Sequence, residues 1–175
     1  HAELTPEYAA IPAEMKKVAG FFNQDVLRKV DQEEFYRQIP QIREQFGDRA
    51  VLRAMHFFAE DERVQAQVKA LEAGEFENFK SLLIESGDSS YKYLQNVYTS
   101  RDVHNQSVSI GLAVSDRVLK GKGAWRVHGG GFAGTIQAFV PNDLVDEYKK
   151  NLEHVFGEGS CLVLKVRKYG GIKVL

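Results

Sequence analysis

The sequence predicts an α+β fold, with helices first and a small sheet late in the chain. Apolar residues recur every three or four positions along most of the chain as far as Ser86, and again over 108–119, the spacing of one helical face. Ala124, Arg126 and His128 then alternate with Trp125 and Val127, and Ile136, Ala138 and Val140 alternate with Thr135, Gln137 and Phe139, the two-residue period of a pleated strand. Between these runs lies GGGFAG, residues 129–134, around which the rest of the chain is arranged.

In order along the chain, Pro6 suits a first helical turn, and Tyr8, Ile11, Met15, Val18 and Phe22 predict a helix over 6–22. Asp31 and Glu34 have the spacing of a capping pair, and Phe35, Ile39, Ile42 and Phe46 carry an apolar stripe that Pro40 should bend or divide. Asp48 is placed to cap a long helix over 48–73, with Val51, Leu52, Met55, Phe58, Val64, Val68 and Leu71 as its stripe and Gly74 as its stop. Phe76, Phe79, Leu82 and Leu83 open a fourth helix over 75–86, antiparallel to the third, with the phenylalanines expected in the core. Residues 86–106 lose the period and read as a long tyrosine-rich connection, in which Tyr91, Tyr93 and Tyr98 either roof a core or face a ligand. Helical spacing returns over 108–119. Pro141 ends the second strand, Asn142 is placed to cap a helix through Phe156, and residues 161–166 read as a third strand.

At 175 residues and 43% hydrophobic content the chain suits one domain with a sizeable core. Lysine and arginine number 23 against 24 acidic residues, a net charge of −1, so no positive field is gathered for nucleic acid or an anionic membrane. The one cysteine, Cys161, has no internal partner, suits a reducing cytoplasm and reads as a small core hydrophobe. No apolar run reaches the roughly 18 residues of a membrane span and no secretory signal opens the chain, so a soluble cytoplasmic protein is expected.

Gly129, Gly131 and Gly134 fit the pattern G-x-G-x-x-G, but neither familiar owner of that pattern fits the surroundings. A dinucleotide fingerprint needs a helix directly after the glycines, and here a strand follows. A protein-kinase loop needs a strand lysine and two later aspartates in a set series, and the short remainder of the chain lacks them. The glycines therefore connect two strands, either as a plain hairpin or as a loop whose bare N–H groups approach another backbone or a phosphate.

In their order, several stretches resemble the C-terminal half of galactokinases, in the GHMP kinase superfamily. RVHGGGFAGT at 126–135 is similar to that family's third signature, commonly R-M-T-G-G-G-F-G-G-C. HAELTPEY at 1–8, FFNQDVLRKVDQEEF at 21–35, RAVLRAMHFFAEDERV at 49–64 and ALEAGEFENFKSLLIES at 70–86 also resemble family segments. The resemblance implies a ferredoxin-like GHMP kinase C-terminal domain over 1–175, made of a helical lead-in at 1–47, a helical part at 48–120, and the glycine loop, sheet and helix at 121–175. It implies an ATP-dependent sugar 1-kinase of galactose or a related sugar, with ATP and Mg²⁺ as cofactors of the full-length enzyme. By the same resemblance Gly129, Gly130, Gly131, Phe132, Ala133 and Gly134 border phosphate and sugar, Tyr8 contacts the sugar, and His128 is a candidate phosphate contact.

The family's sugar-binding first signature, its P-x-G-x-G-L-S-S-S phosphate loop and its phosphoryl-site arginine and aspartate have no counterpart here. The resemblance therefore assigns no catalytic residue and no metal ligand to this chain. It implies an N-terminal kinase domain of the same polypeptide as partner, and an isolated fragment that is inactive and binds neither cofactor. Three departures touch the signature: His128 for threonine, Ala133 for glycine and Thr135 for cysteine. Residues 91–102 also depart from the family's L-R-D-D-Y-x-V-S-C-P-E-L. A non-catalytic sugar or ATP sensor and a stand-alone α+β interaction domain stay open as alternatives. Apolar groups on both faces of the second strand lead to an expectation that the fragment self-associates, or leaves the arm at 1–8 and the glycine loop mobile, one face lacking cover.

Overall fold

In the computed structural model, residues 2–132 and 134–166 are described. The first helix, α1, spans Thr5–Phe21, and the Pro40 break is real: α2 covers Gln32–Arg37 and α3 covers Ile39–Phe46. The Asp31 carboxylate accepts from the Glu34 amide at 2.8 Å, as the capping pair predicts. The long helix α4, Asp48–Glu72, begins differently from expectation. Gly47, at φ +86°, is the residue before it, and Asp48 lies inside the first turn with its carboxylate 2.5 Å from Arg43 Nε.

Helix α5 runs Phe76–Ser89 and continues as a π-helical turn over Ser90–Leu94, so the irregular connection is shorter than the sequence suggests. Small residues there permit contact instead of breaking the helix. A Cβ on Gly87 would lie 3.0 Å from Arg126 Cβ, and Ser86, Ser89 and Ser90 are buried. Helix α6 spans Ser107–Leu119, and β1 (Ala124–His128) pairs antiparallel with β2 (Thr135–Phe139) in a register of Ala124 to Phe139 and His128 to Thr135. A 3₁₀ turn at Asn142–Leu144 leads into α7, Val145–Phe156, without a side-chain cap from Asn142.

Around α1–α4 one apolar core gathers Val18, Phe35, Ile42, Ala54 and Phe58. The sheet divides three smaller clusters. Phe79 and Leu83 of α5 pack with Ala124 on one face, while Leu119, Tyr148 and Leu152 pack with Trp125 and Ala138 on the other. Val97, Val108 and Val127 form the third. Both faces of the two strands thus carry packed apolar groups, the first against α5 at Ala124 and Phe139, while His128, Thr135 and Gln137 stay exposed.

The third strand does not form within the described residues. Residues 161–166 lie outside both strands, with Leu162 77%, Leu164 85% and Val166 91% exposed. Alternation gives a segment two faces, but only a neighbouring edge can satisfy its backbone, and neither β1 nor β2 is paired to it. Cys161 packs against the α6 and α7 cluster, and burial pushes its thiol pKa up, as suits a small core hydrophobe. No described helix is long and apolar enough to cross a membrane.

Candidate functional site

The loop from Gly129 to Gly134 leaves β1 and returns as β2, and its inner side is occupied by protein. Tyr8, on α1, donates its hydroxyl to the Gly131 carbonyl at 3.0 Å, and its ring meets Phe132 edge-on, with centroids 5.1 Å apart and planes at 89°. A Cβ on Gly130 would lie 2.7 Å from the Tyr8 ring. A Cβ on Gly131, at φ +82°, would lie 1.9 Å from the Asn96 carbonyl oxygen. These two glycines are small because the protein itself presses on them.

Asn96 closes the loop from the tyrosine-rich connection. Its carbonyl accepts from the Phe132 amide at 2.6 Å, and its side-chain Nδ2 donates to the Gly130 carbonyl at 3.4 Å. Phe132 is buried and takes a left-handed backbone, φ +55°, a conformation that packing against Tyr8 and the Asn96 bond must hold in place. The outer side presents Gly129, Gly130 and Gly134, all exposed, with His128 exposed at the end of β1. The Gly134 amide folds the loop back onto the Gly131 carbonyl at 2.9 Å. Tyr8, His128 and five of the six loop residues therefore come together, while Ala133 lies outside the described residues.

The root of the loop is held by a polar cluster that crosses three elements. Arg126 of β1 donates to the Ser86 hydroxyl at 2.5 Å and lies 3.4 Å from Glu60 Oε1. Ser86 donates in turn to that same oxygen, and Arg63 pairs with Glu60 Oε2 at 2.5 Å. Burial pushes the Glu60 pKa up, but the Ser86 hydroxyl and the Arg126 and Arg63 charges outweigh it, so the carboxylate stays below its ordinary range. His56, one turn away, shares a 2.9 Å hydrogen bond with Ser89, and burial depresses its pKa. Arg53, 1% exposed, reaches Glu14 at 2.8 Å and the Leu94 carbonyl at 3.1 Å. Arg53, His56, Glu60 and Arg63 are four of the polar residues of RAVLRAMHFFAEDERV, so the stretch that resembles a family segment also supplies buried and half-buried contacts that hold the loop's root. Sequence reasoning missed Asn96, and nothing local marks it.

No family model matches the chain. Among curated relatives, a galactokinase of Glaesserella parasuis is 33% identical over 152 residues, which are 86% of this chain and 37% of that protein. One from Actinobacillus pleuropneumoniae is 31% identical over the same shares. The chain is homologous to a portion of the galactokinases. It spans 37% of the length of these relatives. In the fold, a galactokinase of Lactococcus lactis solved with galactose superposes with a TM-score of 0.63 over 87% of this chain and 37% of its own, at 24% identity. The helix-rich architecture with its small antiparallel sheet is that of a galactokinase C-terminal region.

Proposed function

We propose that the chain is the C-terminal part of a galactokinase-like sugar kinase, whose whole polypeptide moves the ATP γ-phosphoryl group to the anomeric hydroxyl of galactose or a related sugar. The observation that carries this reading is the glycine loop, backed by Tyr8 and Asn96 and open in front at Gly129, Gly130 and Gly134, in a galactokinase homologue. The loop forms one wall beside sugar and phosphates. Tyr8, whose hydroxyl hydrogen points to Gly131, accepts from a sugar hydroxyl through its phenolic oxygen and so ties the acceptor's position to the loop. His128 is assigned to the phosphates, to which its ring N–H donates.

ATP supplies the transferred phosphoryl group. The phosphate loop and phosphoryl-site aspartate that the galactokinase resemblance implies, and the Mg²⁺ ligands with them, are assigned to the N-terminal kinase domain of the same polypeptide. Phosphoryl transfer requires acceptor, phosphates and a cationic clamp held together, and one wall without the clamp gives no turnover. The parent polypeptide is expected to release ADP in a galactose-dependent manner and the 175-residue chain to release none. In the parent, Tyr8→Phe raises KM for the sugar by about tenfold and leaves kcat within a small factor. A parent without galactose-dependent release, or a chain that turns over by itself, refutes the reading.

A further inference from the structure

Gln95, Val97 and Thr99 line a cavity of about 370 Å³, while Asn96, between them in sequence, contacts the glycine loop. One short segment thus has the loop on one side and a cavity on the other. The rings of Tyr91 and Tyr98, 6.2 Å apart and inclined at 61°, form an aromatic wall. Glu7, Arg49 and Lys92 bring charge to the lining, and each is already matched. The Glu7 carboxylate accepts from Thr99 at 2.8 Å and pairs with Arg101 at 3.1 Å. Arg49 grips both oxygens of Glu14, at 2.5 and 3.2 Å, and Lys92 pairs with Asp88 at 3.3 Å.

The cavity therefore combines aromatic surface with many fixed donors and acceptors and little uncompensated charge. A phosphate or other anion would need a cation that is not already neutralised. A neutral polyhydroxylated ring needs the reverse: an aromatic face against its C–H groups, and side chains such as Gln95, Arg49 and Thr99 that bond its hydroxyls. The volume is within the range of small-ligand sites. We propose that this cavity binds a neutral monosaccharide, and that its occupancy is felt at the glycine loop through Asn96. A ring seated against Gln95 and Tyr98 presses on the segment whose Asn96 carbonyl holds the Phe132 amide.

Amide spectra of the 175-residue chain, titrated separately with galactose, glucose and inorganic phosphate, test this without ATP and so independently of the kinase reading. A hexose is expected to give saturable shifts across residues 91–100, with smaller shifts at 129–132, and phosphate to give none. Tyr98→Ala and Gln95→Asn, the latter chosen because Gln95 has φ +57° and asparagine tolerates that backbone, should each weaken binding by about tenfold. Tyr8→Phe should leave it within about twofold. The proposal is overturned if no saturable shift appears at 91–100, if phosphate alone produces one, or if Tyr8→Phe abolishes the hexose response while Tyr98→Ala preserves it. Shifts at 91–100 with none at 129–132 would overturn the coupling to the loop.

Discussion

Around Phe35 the chain is held by apolar contact, and around Arg126 it is held by ion pairs and hydrogen bonds. Phe35 and Ile42 are fully buried, and the Phe35 ring lies 5.1 Å from that of Phe58, in the largest of the apolar clusters. Near Arg126 the apolar clusters are small and separate, and β1 is tied to α4 and α5 through Ser86 and Glu60. Apolar burial is non-directional, so it sets stability without fixing one position for each atom. Hydrogen-bonded charges and a glycine-to-backbone contact do fix positions, and they occur where a loop's backbone must be presented in one shape.

The largest effect is expected in the large apolar cluster. Phe35→Ala should cost about 4 kcal/mol, read from the denaturation midpoint, and a loss under about 1 kcal/mol would break the contrast. Gly131→Ala comes next, at about 3 kcal/mol, because a methyl group would meet the Asn96 carbonyl at positive φ. Its amide exchange should quicken at 96 and 129–132 while α1–α4 stay protected; uniform quickening would show that the two regions form one unit. Glu60→Ala should remove about 2 kcal/mol by stranding Arg126 and Ser86, with exchange faster in β1 than in α1. Gly129→Ala, at φ +69° with no atom within 4 Å, should cost only about 1 kcal/mol of backbone strain.

A smaller, pH-dependent effect separates the regions further. Burial holds the His56 pKa below its ordinary value, so the unfolded chain binds that proton first as pH falls. Stability from the neutral ring is present above about pH 6.5 and lost as pH drops toward the lower folded value. Glu60, also depressed, adds the same sign below about pH 4.3. The midpoint should therefore fall on acidification through the His56 window, and His56→Gln should flatten that slope. An unchanged slope would show that the imidazole carries none of the dependence.

Periodicity located α1, the Pro40 break, α4, α6, both strands and the glycine connection, because each is specified by neighbours a few residues away. Composition and resemblance also led to the glycine loop and Tyr8. Three local readings failed for a shared reason. Gly87 and the serines near it looked like a break in α5, yet they are small to admit β1. Asp48 looked like a cap, yet Arg43 takes its carboxylate. Residues 161–166 looked like a strand, yet alternation provides no partner edge.

By itself the sequence determined which segments are helical, where the chain must turn, and that its glycines connect two strands. Only the tertiary structure decided why those glycines are needed. Tyr8 and Gly131 are 123 positions apart, and Asn96 and Gly130 are 34 apart. The size of a loop residue there is set by an oxygen or a ring arriving from a distant element, a steric fact that no local pattern encodes.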